Sequence, residues 1–319
     1  MKTTTQNAFD FRQSPFWKTY MQKIGWQVET IDTVQVYIRQ MPFGISFIKI
    51  QHPLQKISLK KIDSIAKKYH ALVVVIEPNT NTYDEKAFKK NGYQITPMHH
   101  APTATRKIEI SKPLKKIISS FSENAKRNIK KAEKNNLIIK TVFTKDDKHN
   151  NYFEKFFTLQ KSLTDMKKFY APGYDESKKK YEALKKGSFL VFAYKNLDPI
   201  GLKPSRMTTQ EPIASVWYGY YNGVVTYLQT GITKDGYRLL ANYLLVLEGI
   251  KVGKKLKCTV FDFESIYDAR YPNEAKRWKG YSEFKSRFHG EEIQFPPAWI
   301  KIYNPVFKWF YRLTSSMSS

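Results

Sequence analysis

The sequence predicts an α/β protein with mixed sheets, arranged as two successive halves of comparable size. In the first half, short β-branched runs alternate with amphipathic segments, and the second half repeats this plan loosely. Such alternation places helices on the faces of a sheet. The polar run 145–150 is the predicted boundary. With 319 residues and 41% apolar content, the chain is large enough for two domains or one large domain, each with a hydrophobic core.

In the first half, the elements follow from hydrophobic periodicity and from the residues that start and stop helices. A further strand starts at Tyr93, and a short helix starts at Asp84 and stops at Asn91. The other predicted strands are 34–39, 44–50, 71–77, 105–110 and 137–142. The other predicted helices are 58–69 and 122–135.

In the second half, the same criteria predict three helices and four strands. The helices are 151–167, 174–186 and 236–253, and the strands are 189–194, 214–220, 224–229 and 257–263. The tail from Trp299 to Leu313 is aromatic and basic. Such a tail either packs back onto the body of the protein or lies on a membrane.

The charge balance predicts a polyanionic partner. The chain has 54 Lys and Arg against 28 Asp and Glu, a net charge of +26, which fits RNA, phosphorylated sugars or an anionic membrane. Cys258 is the only cysteine, so no disulfide forms within the chain, and a reducing compartment is expected. Because the N-terminus lacks an apolar signal region and no long apolar run occurs, we expect a cytoplasmic protein, with peripheral membrane contact as an option.

The predicted helix 122–135 has one basic face and one apolar face. Its cations recur at helical spacing and are Lys126, Arg127, Lys130, Lys131 and Lys134. Its apolar residues Ala125, Ile129 and Ala132 share the opposite side. A phosphate backbone could lie along the basic face. The alternative is a surface helix that is only solvated.

Several common catalytic and cofactor motifs are missing from the sequence. It contains no HExxH pair, no GxSxG elbow, no Walker A loop and no GxGxxG fingerprint. The loop that holds the pyrophosphate of acetyl-CoA in ordinary acetyltransferases is also missing. We therefore predict that the protein has no bound metal and needs no cofactor.

The strand 257–263 ends in two carboxylates, Asp262 and Glu264, which alternate and so point to opposite faces of a sheet. Asp262 could face a cleft or, alternatively, could satisfy amides of the following loop. Lys285 lies between Phe284 and Phe288 in a segment that should be partly buried. A lysine in such a place has an anionic partner or stabilises charge during a reaction.

Four segments, in order along nearly the whole chain, resemble the Fem aminoacyltransferases, the peptidoglycan interpeptide-bridge enzymes also called methicillin-resistance factors. The segments are Gln13-Ser14-Pro15-Phe16-Trp17 with Gly25-Trp26, the helix SENAKRNIKKAEKN from Ser122, the helix segment LANYLL from Leu240, and FDFE from Phe261 with YSEFKSRFHGE from Tyr281.

The resemblance implies two tandem GNAT-like domains without a long helical-hairpin insertion. The first would span 1–145, with 296–319 returning to pack on it, and the second 146–295. It also implies a monomeric enzyme that takes Gly, Ala or Ser from aminoacyl-tRNA and attaches it to the stem-peptide amine of a peptidoglycan precursor.

Site residues follow from the same resemblance. Lys285 and Asp262 would be catalytic, with Lys285 holding an oxyanion or an RNA phosphate. The predicted substrate-binding residues are Trp17, Tyr227, Asn242, Tyr243 and Phe284. The five cations of the helix 122–135 would bind tRNA.

The family lysine that follows the opening tryptophan and helps to hold nucleotide-sugar phosphates has no equivalent at 19–21. We therefore expect the lipid-linked precursor, lipid II, as acceptor rather than the soluble UDP-MurNAc-pentapeptide. Two alternatives stay open: a non-catalytic RNA-binding protein on the same scaffold, and a GNAT N-acyltransferase that uses acyl-CoA.

Overall fold

A computed structural model describes residues 4–196, 211–272, 279–305 and 307–309 of the chain. Its first sheet has six strands in the order β1-β2-β3-β4-β13-β5. These strands are Gln27–Ile31 (β1), Val34–Gln40 (β2), Ser46–Gln51 (β3), Ala71–Glu77 (β4), Gln94–Thr96 (β5) and Ala298–Ile302 (β13). β3 and β4 are parallel and their neighbours antiparallel, so the sheet is mixed.

The second sheet has seven strands in the order β12-β6-β11-β10-β9-β8-β7. These strands are Ala104–Glu109 (β6), Ile138–Phe143 (β7), Ser188–Tyr194 (β8), Ala214–Tyr221 (β9), Val224–Ile232 (β10), Val260–Ser265 (β11) and Glu291–Gln294 (β12). Only β10 and β11 run parallel. The predicted α/β class with mixed sheets is confirmed.

Ten α-helices have assigned bounds in these ranges. They are Pro15–Lys23 (α1), Leu59–Lys68 (α2), Glu85–Lys90 (α3), Leu114–Ser119 (α4), Glu123–Lys134 (α5), Asn151–Lys167 (α6), Tyr174–Ala183 (α7), Lys234–Arg238 (α8), Ala241–Lys255 (α9) and Lys279–Ser286 (α10). The caps fall where the sequence predicts them: Ser58, Asp84 and Ser122 each accept a hydrogen bond from the backbone of the first turn.

The prediction of a single helix over 236–253 is wrong in one respect. The structure has two helices there, α8 and α9. Leu240, between α8 and α9, has a left-handed φ of +58°, which interrupts the helical hydrogen bonding. At the start of α8, Gly236 lies so close to the carbonyl of Ile213 that a Cβ would stand 2.4 Å from the oxygen. Only glycine fits that contact.

The two sheets exchange strands along the chain. β6 and β7 precede residue 145 yet belong to the second sheet, whereas β13 returns to the first, between β4 and β5. Trp299 of β13 is fully buried and stacks on Phe88 at 5.1 Å. The start of the aromatic tail therefore packs back onto the body, while residues 310–319 lie outside the described part. The change of sheet falls between β5 and β6; the domain limits themselves stay a prediction.

Candidate active site

The second sheet opens where its two parallel strands stop pairing. β10 and β11 pair over three positions, and the last is Thr226 opposite Asp262. β10 then shifts register after Tyr227. Beyond this point, backbone groups of β11 take partners other than β10. The sequence-predicted site residues of the second half gather around this opening.

Asp262 shapes the end of β11. The strand shifts register between Asp262 and Ser265, and Glu264 has a φ of +62° there. Asp262 Oδ1 accepts hydrogen bonds from the Glu264 amide at 2.7 Å and from the Thr105 hydroxyl, and its Oδ2 lies 3.6 Å from Lys107 Nζ. Asp262 is buried. This geometry favours the second of its two predicted roles, in which it satisfies loop amides and so fixes the direction of Glu264.

Lys285 reaches into the opening from α10. Its Nζ donates to the carbonyl oxygens of Phe263 and Ser265, both at 2.6 Å. It also lies 4.0 Å from the ring centre of Tyr281 and 5.7 Å from that of Tyr227. The side chain is only 1% exposed. Two of its three N–H donors are therefore used by backbone carbonyls, and one is left toward the tyrosines.

Burial lowers the pKa of the Lys285 amine to about 7, although the carboxylates of Glu264 and Asp262 oppose this shift. Near neutral pH, both protonation forms are therefore present. The protonated amine can offer its third N–H to a negatively charged oxygen. The neutral amine keeps both backbone hydrogen bonds and directs its lone pair to the same place.

The low pKa of Lys285 predicts a specific dependence of stability on pH. In the unfolded chain this lysine releases its proton near 10.5, and in the folded protein near 7. Between these values the unfolded state binds more protons, so unfolding free energy rises with pH by about 1.4 kcal/mol per unit from this group. Below about pH 7 the burial penalty is fully present. We expect urea unfolding of wild type and Lys285→Met to diverge in favour of wild type from neutral to mildly alkaline pH. Unfolding free energies that change with pH in parallel for the two proteins would contradict this prediction.

Tyr243 connects the site to the basic helix. Its ring packs against Phe284 at 5.2 Å, and its hydroxyl accepts hydrogen bonds from Arg287 at 2.7 Å and from Asn128 of α5 at 2.9 Å. Next to it, the buried Oδ1 of Asn242 has no hydrogen-bond partner among the described residues. The predicted residues Tyr243 and Phe284 thus pack together between α5, α9 and α10, and Asn242 precedes Tyr243 in α9.

Trp17 lies on the other side of Glu264. Arg12 donates to Glu264 Oε1 at 2.6 Å, and its guanidinium lies 5.7 Å from the ring centre of Trp17. Lys180 Nζ lies 5.3 Å from Trp17 and 5.4 Å from Trp217. Burial lowers the pKa of Lys180 to about 8, and the Glu264 carboxylate opposes this shift. One carboxylate therefore acts on both Lys285 and Lys180 and links the two sides of the site.

Two buried N–H groups around Trp17, the indoles of Trp17 and Trp217, lack an acceptor within the described ranges. Lys180 Nζ lies beside both rings. A buried donor without an acceptor is costly. An anionic or carbonyl-rich ligand would supply the missing acceptors.

Sequence reasoning missed Arg12, Lys180 and Tyr281. Arg12 stands beside the opening motif and could have been suspected. Lys180 is one of three consecutive lysines, Lys178 to Lys180, and nothing in the sequence marks it as the buried one.

Helix α5 has the two faces that the sequence predicts. Ala125, Ile129 and Ala132 are buried. Four of the five cations are exposed, namely Arg127, Lys130, Lys131 and Lys134. Lys126 is partly buried and paired with Glu123.

Within the described ranges, no group of three His, Cys, Asp or Glu residues has the arrangement of a metal site. No helix in these ranges is both long and apolar enough to cross a membrane.

Comparison with known proteins gives a clear result for the fold. No protein-family model and no curated protein matches the sequence. The crystal structure of FemX superposes with a TM-score of 0.76 over 94% of each chain, at 13% sequence identity. This chain has the fold of FemX. The resemblance noted in the sequence is thereby confirmed at the level of the fold.

The FemX fold also relates the chain to two further structures. L-PGS from Bacillus licheniformis gives a TM-score of 0.59 at 9% identity over 97% of both chains. The C-terminal domain (DUF2156) of a protein from Agrobacterium fabrum, provisionally assigned as a lysylphosphatidylglycerol synthetase, gives 0.62 at 8% identity over 96% of this chain and 92% of the other. At these identities the likeness concerns the fold alone.

Proposed function

We propose that this protein is an aminoacyltransferase that moves Gly, Ala or Ser from aminoacyl-tRNA to the stem-peptide amine of a lipid-linked peptidoglycan precursor. The observation that carries the proposal is Lys285, a buried amine with one unused N–H at the open end of β10 and β11. The FemX fold over 94% of the chain supports the reaction class.

The chemistry needs little beyond positioning and charge stabilisation, because an aminoacyl ester is already activated. The acceptor nitrogen attacks the ester carbonyl, and an N–C bond forms. The carbonyl oxygen becomes an oxyanion, which the third N–H of protonated Lys285 stabilises. The ester C–O bond then breaks, and the ribose oxygen takes the proton that the attacking nitrogen loses.

The unpartnered donors around Trp17 suit the acceptor. Phosphate, sugar and peptide carbonyl oxygens of the acceptor could pair with the indole N–H groups of Trp17 and Trp217, which have no acceptor in the described structure, and with the neighbouring Lys180 amine. Glu264 lies between this side and Lys285 and couples to both amines. Acceptor and ester would therefore meet at Glu264.

The exposed face of α5 suits the phosphates of tRNA, and Tyr243 joins it to the site. We expect Lys130, Lys131 and Lys134, all changed to Glu, to weaken tRNA binding. Each lost phosphate contact should flatten the log–log salt dependence by about 0.7 to 0.9. Filter binding across a salt series measures this slope. The control changes Lys60, Lys86 and Lys161 to Glu and alters net charge equally on other surfaces. Equal slopes in both triple variants would exclude α5 as the tRNA surface.

The decisive experiment incubates the protein with a charged-tRNA pool and lipid-linked precursor and determines the product mass. We expect the added mass of Gly, Ala or Ser on the precursor and no product when acetyl-CoA replaces the charged tRNA. Acetylation without RNA would support the acyl-CoA alternative. RNA binding without turnover on any acceptor would support the RNA-binding alternative. Phosphatidylglycerol is offered in a parallel reaction, and its aminoacylation would identify a phospholipid as the acceptor.

A further inference from the structure

One end of the first sheet carries an exposed apolar hairpin tip. β2 and β3 are joined there by 41–45, with the sequence Met-Pro-Phe-Gly-Ile. Phe43 at the tip is 99% exposed and has a φ of +64°. Left-handed backbone is unfavourable for a bulky residue, and a fully exposed ring gains nothing from packing. The side chain of Phe43 therefore does not stabilise the isolated fold.

A second apolar segment reaches the same end. β13 ends there because Ile302 pairs with Val73 near the start of β4. In the following segment 303–309, Phe307 packs on the sheet face and Trp309 is 60% exposed. Two segments more than 250 residues apart in the sequence therefore present aromatic side chains at one end of the sheet.

Cations lie at the same end of the sheet as these aromatic residues. α2 and α3 both end at this end of the sheet, because β4 and β5, which follow them in the chain, begin there. Lys67, Lys90 and Lys308 are exposed, and none of them forms an ion pair in the described part of the chain. The nearby acids Glu29 and Asp63 are each paired with a lysine. The surface is therefore basic with an apolar centre.

We infer that this end of the first sheet is a docking surface for an anionic lipid bilayer. The surface consists of the tip 41–45, the residues Lys67 and Lys90, and the segment 307–309. Phe43 enters the boundary between headgroups and acyl chains, and the lysines lie at the headgroup phosphates. An RNA partner would use the cations but would gain little from the aliphatic neighbours of Phe43. The inference rests on the proposed function in one respect, that the acceptor is lipid-linked.

The position of the surface fits a membrane-bound acceptor. β3 runs from the tip toward the site, and His52 at its far end pairs with Asp10, which pairs with Arg12. At about 3.3 Å per residue, His52 lies about 20 Å from Ser46, where β3 leaves the tip. Between them, Lys49 Nζ lies 4.6 Å from the ring of Trp26. An acceptor anchored in the bilayer could extend along β3 to Glu264 and Lys285.

Co-sedimentation with vesicles tests the inference. The full chain is mixed with vesicles of phosphatidylcholine alone or with phosphatidylglycerol added. We expect binding to the anionic vesicles only. Phe43→Asn, which suits left-handed backbone, should lower the partition coefficient by about 10-fold. Lys67→Gln and Lys90→Gln should each lower it by about 5-fold. Tyr170→Asn, at an 84% exposed aromatic residue in the second half of the chain, is the matched control and should bind like wild type.

Two outcomes would overturn the docking surface: no binding to anionic vesicles, or binding that Phe43→Asn and Tyr170→Asn reduce equally. Loss of RNA binding in the lysine variants with unchanged vesicle binding would assign the surface to RNA instead. The proposed function fails separately. Transfer to a detergent-solubilised precursor reports on the reaction without a bilayer, and Phe43→Asn should leave it unchanged.

Discussion

Lys285→Met is expected to lower single-turnover aminoacyl transfer by about 100-fold or more, with little change in precursor binding. Methionine keeps the length of the side chain and removes the N–H that would reach the oxyanion. The loss corresponds to one oxyanion donor in a site without bulk water. Rapid mixing of a preformed complex of enzyme and precursor with charged tRNA measures the chemical step separately from binding.

Lys285→Met also removes two hydrogen bonds to backbone carbonyls, so a matched structural control is needed. Lys254 provides it, because its Nζ donates to the carbonyl oxygens of Ile110 at 2.7 Å and Lys112 at 2.5 Å, away from the opening of the sheet. Lys254→Met should reproduce a loss of stability but not the loss of transfer. Near-normal transfer in a folded Lys285→Met protein would restrict Lys285 to a structural role and shift attention to Glu264 and to the ribose hydroxyl of the substrate.

Local patterns in the sequence predicted much of the secondary structure because short-range physics decides it. The cations and apolar residues of α5 follow a helical period, and Ser122 caps its start, so its limits and both of its faces could be predicted. The strand 71–77 could be predicted to the residue, since a β-branched run ends at Pro78. The break at Leu240 could not, because a leucine in left-handed backbone carries no local signal.

The candidate site depends on contacts that no local pattern encodes. Arg12 and Glu264 are 252 positions apart and meet only because β11 ends in a bulge that Asp262 holds. The resemblance to Fem aminoacyltransferases pointed to Lys285, but not to its backbone acceptors or its low pKa. Sequence reasoning therefore placed its candidate residues at a strand end where the structure brings several of them together, and it missed the charges that join the two sides of this candidate site.

Those charges predict a large loss of stability for a single substitution at Arg12. Arg12 bonds Glu264 at 2.6 Å and Asp10 at 3.2 Å, and the pair with Glu264 is only 11% and 17% exposed. Burial alone would lower the pKa of the Arg12 guanidinium. The carboxylates of Glu264 and Asp10 raise it by more, so the net pKa lies above the usual value. Arg12→Met would leave Glu264 buried without its partner, at a cost of about 3 to 5 kcal/mol.

A double-mutant cycle with Glu264→Gln separates the ion pair from general packing. The double variant should lose clearly less stability than the two single variants added together, because the charge of Glu264 is no longer left buried without Arg12. Arg106→Met is the control. Arg106 pairs with Glu292 at 2.8 Å, but Glu292 is 42% exposed, so its loss should cost about 1 kcal/mol or less. Urea unfolding measures all four variants.

The same cycle tests whether Glu264 couples the two sides of the site. Its charge opposes the lowered pKa of both Lys285 and Lys180. Glu264→Gln should therefore lower both pKa values further, so that Lys285 loses its proton at a lower pH and transfer loses its oxyanion donor near neutrality. We expect transfer by Glu264→Gln to recover as pH falls, whereas Lys285→Met should not recover. If both variants respond equally to pH, Glu264 acts on the fold alone and not through the Lys285 amine.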